Sequence, residues 1–419
     1  MNPVSEIITI GDELLIGQTI DTNSAWIGER MSMIGIPVHR IISISDNPEE
    51  IRTALAESMR RAAVVLITGG LGPTNDDRTK TTLTDFFGAQ LVEDESVLED
   101  ILLLLKARNF PMTALNRAQA LVPDNCRVIH NPEGTAPGMW WERDGTVVVS
   151  MPGVPFEMKA LMETTVLPAL SSQFKTPAIL HKTIMTIGVG ESKLASMLEK
   201  WESDLPENFS LAYLPSPGMV KVRITGTGDD RALLQLKMAG LTDSLVEIAR
   251  EYFFGFDEIT LEQLVGRLLT ENNLTLSTAE SCTGGNIARL ITRIPGSSAY
   301  FQGSIVAYAN EMKMKFLDIT ETMLIKYGAV SQNVVEQMAK SCLLHLNSDF
   351  SVATSGIAGP DGGSISKPVG TVWIAVASKK GVVSQCFQFG EHRERNVVKA
   401  SQAALNMLRI EILKETTSS

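Results

Sequence analysis

Apolar positions along this chain fall into short solid runs separated by segments in which they recur every three or four residues. Runs at 4–10, 36–44 and 64–68 predict buried strands, and helical spacing carries Trp26, Ile27 and Met31 to a stop at Gly35. Asn47-Pro48-Glu49-Glu50 opens a second helix, with a cap, a proline at the first position and acids in the first turn. The middle of the chain reads as a strand at 183–189, a helix at 191–201, alternating strands at 209–213 and 220–226, and a long helix over about 230–252. Further on, a helix at 261–270 precedes an apolar run at 274–276, and strands follow at 301–308, 352–354 and 369–377. The fold class expected is α/β in the first and third segments, each with a mainly parallel sheet, and a small α+β module between them. The segments are 1–174, 175–256 and 257–416, and a chain of 419 residues is too long for a single core.

In sheets of this kind ligands bind outside the carboxyl ends of the strands. Two such ends in the first segment carry candidate chemistry: Gly11-Asp12-Glu13-Leu14-Leu15, and the loop Gly69-Gly70-Leu71-Gly72-Pro73-Thr74-Asn75-Asp76-Asp77. The glycines Gly70 and Gly72 let backbone amides wrap a phosphate. Asp12, Glu13, Asp76 and Asp77 are hard oxygen ligands suited to a divalent ion on a pyrophosphate. Ordinary turn and cap chemistry uses the same residue types.

The third segment holds Thr278-Ala279-Glu280-Ser281-Cys282-Thr283-Gly284-Gly285, followed by helical spacing at Ile287, Leu290 and Ile291. A strand, a tight turn and a helix are expected, with the free amides of the new helix facing an anion or a developing oxyanion. Ser281 is then either a nucleophile or the cap of that helix. A nucleophilic serine needs a base, and a lysine serves in some enzymes. Lys313, just past a strand end, fills that role if burial keeps it neutral, with Tyr308 placed to relay the proton. A solvated helix lysine and a core-edge tyrosine are the plain alternatives. Cys282 is a rival nucleophile without an evident histidine partner, and reads as a small core residue. The glycine-rich loop from Ser355 to Gly363 is shaped to cradle a phosphate, with Arg393 as its cation.

Composition narrows the classes. A net charge of −11 and only 6% aromatic residues oppose non-specific nucleic-acid binding. The middle module lacks the basic GxxG clamp of an RNA binder, since Gly226-Thr227-Gly228-Asp229 has the wrong chemistry. Four cysteines without paired spacing and five scattered histidines suggest neither a disulfide framework nor a zinc site. No apolar run reaches membrane-spanning length, and Met1-Asn2-Pro3-Val4-Ser5-Glu6 has no basic stretch of a secretion signal, so a reducing cytoplasm is expected.

The motifs together resemble a known family. Gly11 to Leu15, Gly69 to Thr74 with Asp76-Asp77, Asn131-Pro132-Glu133-Gly134-Thr135-Ala136-Pro137-Gly138 and Met151-Pro152-Gly153-Val154-Pro155-Phe156-Glu157-Met158 look like the molybdopterin-binding-like domain that opens competence/damage-inducible CinA proteins. Leu71 stands where the molybdopterin-binding cousins usually carry threonine. Thr278 to Gly285, Pro295-Gly296-Ser297-Ser298, Tyr308-Ala309-Asn310-Glu311, Gly328-Ala329-Val330-Ser331, Ser355-Gly356-Ile357-Ala358-Gly359-Pro360 and Lys367-Pro368-Val369-Gly370-Thr371-Val372 look like the CinA carboxyl-terminal domain. The middle module is similar in position to that family's KH-like linker.

The resemblance implies a nicotinamide-nucleotide amidase, converting nicotinamide mononucleotide to nicotinate mononucleotide and ammonia without a cofactor. Ser281 would be nucleophile, Lys313 base and Tyr308 its helper; Thr283, Gly284, Ser355, Gly356, Gly359 and Arg393 would hold substrate. The usual Gly-Asp-Arg is here Gly390-Glu391-His392-Arg393, one residue longer. For the first domain the resemblance implies ADP-ribose pyrophosphatase activity. Asp12, Glu13, Gly70, Gly72, Thr74, Asp76 and Asp77 would form that site, and Asp76 and Asp77 would hold a divalent metal. A homodimer is expected, with no membrane or nucleic-acid partner. The rival expectation is a non-catalytic nucleotide- or pterin-binding protein of competence or the DNA-damage response.

Overall fold

Strands buried on both faces read as near-continuous apolar runs, and Ser5–Ile10, Val64–Thr68 and Thr146–Met151 are buried along their whole length, their few polar side chains included. They belong to a six-stranded sheet of order Val38–Ile44, Ser5–Ile10, Val64–Thr68, Thr146–Met151, Gly138–Arg143 and Arg127–Ile129. The first four run parallel, Gly138–Arg143 runs opposite to them, and Arg127–Ile129 pairs antiparallel with Gly138–Arg143. Successive residues feed opposite clusters. Ile7, Leu66 and Val149 join helices Thr22–Met33 and Pro155–Leu161 on one face, and Ile8, Val65, Ile67 and Val148 join Pro48–Met59 and Thr79–Phe87 on the other.

The protein, seen in a computed structural model, is described over residues 3–74 and 77–417. It divides into two compact units, residues 1–180 with 226–236, and residues 181–225 with 237–419. The six-stranded sheet lies in the first. The second contains a five-stranded sheet of order Phe301–Val306, Leu276–Glu280, Phe350–Gly356, Thr371–Ser378 and Gly381–Gln388. Its first three strands are parallel, Thr371–Ser378 runs opposite to them, and Gly381–Gln388 pairs antiparallel with Thr371–Ser378.

Alternation divides this sheet as well. Leu276, Phe350, Val352, Val372, Ile374 and Val376 pack with Leu261–Glu271 and the long carboxyl-terminal helix Arg393–Thr417. The opposite face is alanine-rich, with Ala279, Ala353, Ala375 and Ala377 against Val334, Val335, Met338 and Ala339 of helix Gln332–His345. Small side chains bring that helix close to the sheet. A four-stranded sheet of order Phe209–Ser216, Met219–Gly228, Ala178–Ile187 and Phe253–Phe256 accounts for the middle module. Its Met185, Ile187 and Phe254 join the larger of these two clusters, so this module shares a core with the carboxyl-terminal domain.

Several local expectations shift. Gly11 to Leu15 is not an open loop, because Asp12–Leu15 coils into one helical turn. Thr278, Ala279 and Glu280 belong to the strand Leu276–Glu280, so the turn begins only at Ser281. The strand after the second crossover ends at Val306, which leaves Ala307 and Tyr308 in the loop. Helix Asn310–Phe316 follows directly.

The alanine-lined face makes a stability prediction. Ala353→Leu should overpack it and cost about 1–3 kcal/mol. Leu405→Ala should open a cavity in the opposite cluster and cost about 2–5 kcal/mol. Denaturant unfolding followed by circular dichroism measures both; a neutral Ala353→Leu would mean that the helix can move off the sheet.

Candidate active site

Three strand ends of the second unit meet at one edge of the five-stranded sheet. Ser281 follows the strand Leu276–Glu280, Tyr308 follows Phe301–Val306, and Ser355 and Gly356 close Phe350–Gly356. With Lys313 and Arg393 they line a cavity of about 230 Å³. Cys282, Asn310, Ala329, Val330 and Ala358 complete its wall. Thr283, Gly284 and Gly359, expected beside the substrate, are not on that wall.

Lys313 is no surface lysine. It is 2% exposed, and its Nζ donates to the carbonyls of Ala307 at 3.0 Å and Tyr308 at 3.1 Å. Burial pushes its amine below the ordinary lysine range, against weaker opposing pulls from Cys282 and Glu311. An ammonium has three donors to satisfy. A neutral amine has two, matching the two carbonyls, and keeps a lone pair. Ser281 is 7% exposed and makes no side-chain hydrogen bond among the described residues, so its hydroxyl caps nothing. Its amide donates to Thr354 O at 3.1 Å, and the hydroxyls of Thr283 and Thr354 are 2.7 Å apart. Burial raises the Cys282 thiol to about 12, which fits a core residue and not a nucleophile.

The expectation of free helix amides is overturned by the residue before the serine. Glu280 is fully buried, and its carboxylate accepts from the amides of Gly285 at 3.0 Å, Ile287 at 3.0 Å and Ala288 at 2.8 Å. The N-terminus of helix Asn286–Thr292 is therefore occupied by the protein's own anion. Gly284 is committed too, since its amide donates to Ser281 O at 3.1 Å. Thr283 keeps an unbonded amide, as does Cys282, among the described residues.

Arg393 reaches the site despite the extra residue in its loop. Its guanidinium donates to Gly359 O at 2.7 Å and to Tyr308 Oη at 2.8 Å. Tyr308 is 59% exposed, so it is not a core-edge residue. Ser355 is buried and its Oγ donates to Ala329 O at 2.7 Å, which leaves it an acceptor for any ligand. Two supports escaped the sequence reading. Lys367 ties down the cavity-lining loop by donating to Tyr327 O and Val330 O at 3.0 and 2.7 Å. Asn396 anchors the start of the Arg393 helix through Ala358 O and Gly390 O at 3.0 and 2.8 Å. Glu280 also went unread, although it is the one charged residue in a motif of otherwise small side chains.

In the first unit the strand ends also converge, but the acidic side chains among the described residues do not assemble. A Cβ on Gly69, whose φ is +113°, would stand 2.1 Å from Ile10 O, so glycine there lets two loops touch. The Glu13 carboxylate folds back over Gly11. Thr74 donates to Asp77 Oδ2 through its amide at 3.1 Å and its hydroxyl at 2.5 Å. A Cβ on Gly72 would meet the same carboxylate, and one on Gly70 would meet the Thr79 hydroxyl. Asp76 lies outside the described residues. Among the described residues no three His, Cys, Asp or Glu side chains are grouped to hold a metal ion, and Asp77 serves its own loop.

Family models place these sites in context. Residues 6–172 match the "Probable molybdopterin binding domain", 181–255 the "Damage-inducible protein CinA KH domain" and 258–412 the "CinA C-terminal domain". A CinA-like protein of Cytophaga hutchinsonii is 47% identical over 405 residues, covering 97% of each chain. One from Flavobacterium psychrophilum is also 47% identical, over 97% of this chain and 98% of its own. The crystal structure of competence/damage inducible protein CihA from Agrobacterium tumefaciens is 39% identical, covers 36% of this chain and 94% of its own, and superposes with a TM-score of 0.35. With its molybdopterin-binding-like, KH-like and carboxyl-terminal domains in that order, the chain belongs to the CinA family.

Proposed function

We propose that the carboxyl-terminal domain is a nicotinamide-nucleotide amidase. The observation that carries this reading is the buried amine of Lys313, its donors matched by two carbonyls, in the same cavity as an unbonded serine hydroxyl. Ser281 Oγ attacks the carboxamide carbon while Lys313 Nζ takes the hydroxyl proton. The tetrahedral oxyanion is met by the amide of Cys282, which is on the cavity wall, and an amide so placed contributes about 3 kcal/mol. Collapse expels ammonia, which takes its proton from Lys313, and leaves an ester on Ser281. Water, deprotonated by Lys313, then releases the carboxylate and restores the serine. Two of the five N–H donors of Arg393 are used within the protein, so others remain for a phosphate. The cavity, just under the ~300 Å³ at which small-molecule sites usually begin, suits the amide-bearing ring with the phosphate lying toward its mouth.

For the first domain we propose cleavage of the pyrophosphate of ADP-ribose or a related dinucleotide, on the family resemblance and the converging glycine loops. The described residues do not fit a metal centre, so no step is derived through a divalent ion. The family model's description favours a pterin as second reading for this domain, and calorimetry with ADP-ribose against a molybdopterin precursor separates the two. A homodimer accompanies this proposal and is read by sedimentation equilibrium.

Ser281→Ala should lower ammonia release from nicotinamide mononucleotide by about four orders of magnitude or more while pyrophosphate cleavage persists. Undiminished ammonia release in that variant would sink the serine assignment. Because Lys313 acts as a neutral base, kcat/KM should climb with pH through an amine pKa below the ordinary lysine range and then level off. Lys313→Met should lose about 10²–10⁴-fold in kcat and abolish that limb. A profile unchanged in this variant would show that another group accepts the proton.

A further inference from the structure

Among the fully buried ionised groups of the second unit, Glu280 lies against the reacting serine yet has no part in the proton transfers. Its carboxylate is 0% exposed and neighbours Ser281 in sequence. An anion so enclosed must be compensated, and here the compensation is three backbone amides of the next helix. We infer that Glu280 is a positioning residue for Ser281, closing the turn that presents the hydroxyl and assigning oxyanion stabilisation to the turn amides instead of the helix end. This inference rests on the amidase reading of Ser281.

The hydrogen bonds of the turn support it amide by amide. Ser281 N donates to Thr354 O, Gly284 N to Ser281 O and Asn286 N to Thr283 O. Gly285, Ile287 and Ala288 donate to Glu280. What remains unbonded between 281 and 288 is the pair Cys282 and Thr283, immediately after the serine. Gly285, at φ +93°, lets the chain bend so that the helix begins back over the strand end from which Glu280 projects. The carboxylate thus ties the strand before Ser281 to the helix after it, with only five residues between. Without it the amides of Gly285, Ile287 and Ala288 would be left orphaned beside the site, free to pull a substrate anion to the wrong place.

Glutamine keeps the shape but offers one acceptor oxygen, and turns an NH2 toward an amide donor. Aspartate keeps the charge but is one methylene short. In assays with nicotinamide mononucleotide, Glu280→Gln should lose about a hundredfold in kcat with KM little changed, as for a misplaced reacting group. Glu280→Asp should not rescue it. Glu262→Gln is the control: that buried carboxylate pairs with Arg293 at 2.6 Å away from the cavity, and its loss should leave kcat near wild type. Equal kcat in Glu280→Gln and Glu262→Gln would overturn the inference. Hydrogen exchange tests it without activity. The amides of Gly285, Ile287 and Ala288 should exchange faster in Glu280→Gln, and unchanged protection there would also overturn it. Absence of ammonia release from the wild type would refute the amidase reading alone, and the exchange result would still decide whether Glu280 holds the turn.

Discussion

A charge removed from water must find hydrogen bonds or cease to be a charge. The carboxyl-terminal domain meets that constraint twice, at Glu280 and at Lys313. Three helix amides converge on the Glu280 carboxylate. Lys313 meets two carbonyls and no carboxylate partner, and burial lowers its affinity for the proton. The first arrangement stiffens the turn around the serine, and the second prepares a base. Both depend on the sheet, which brings separate strand ends to one edge.

The same sheet explains why the cavity walls hold their shape. Loops around it are tied to neighbouring loops by buried or part-buried side-chain hydrogen bonds to backbone carbonyls. Ser355 donates to Ala329, Lys367 to Tyr327 and Val330, and Asn396 to Ala358 and Gly390. Arg393 is the exposed cation of the site, braced by Gly359 O and the Tyr308 hydroxyl. The first unit uses similar architecture differently. Glu13 lies against Gly11 and Asp77 is held by Thr74, so among the described residues convergence of loops there does not by itself produce a ligand set.

What the sequence determined by itself was local or repetitive. Runs and helical spacing set the strands and helices, Asn47 accepts from Glu49 and Glu50 as its cap pattern requires, and the family motifs set the order of domains. The convergence of loops on strand ends also followed, because parallel α/β sheets place their ligands there. Tertiary structure decided the chemistry of individual groups. Whether Lys313 was solvated or buried depended on carbonyls at the end of a strand and on helix packing beyond it. Whether Arg393 reached the site depended on a tyrosine 85 positions earlier in the chain. Whether the helix amides stayed free depended on the direction of one side chain leaving a strand. A short stretch of sequence encodes period, caps and turn residues, but burial and hydrogen-bond partners are set by what lies across the sheet.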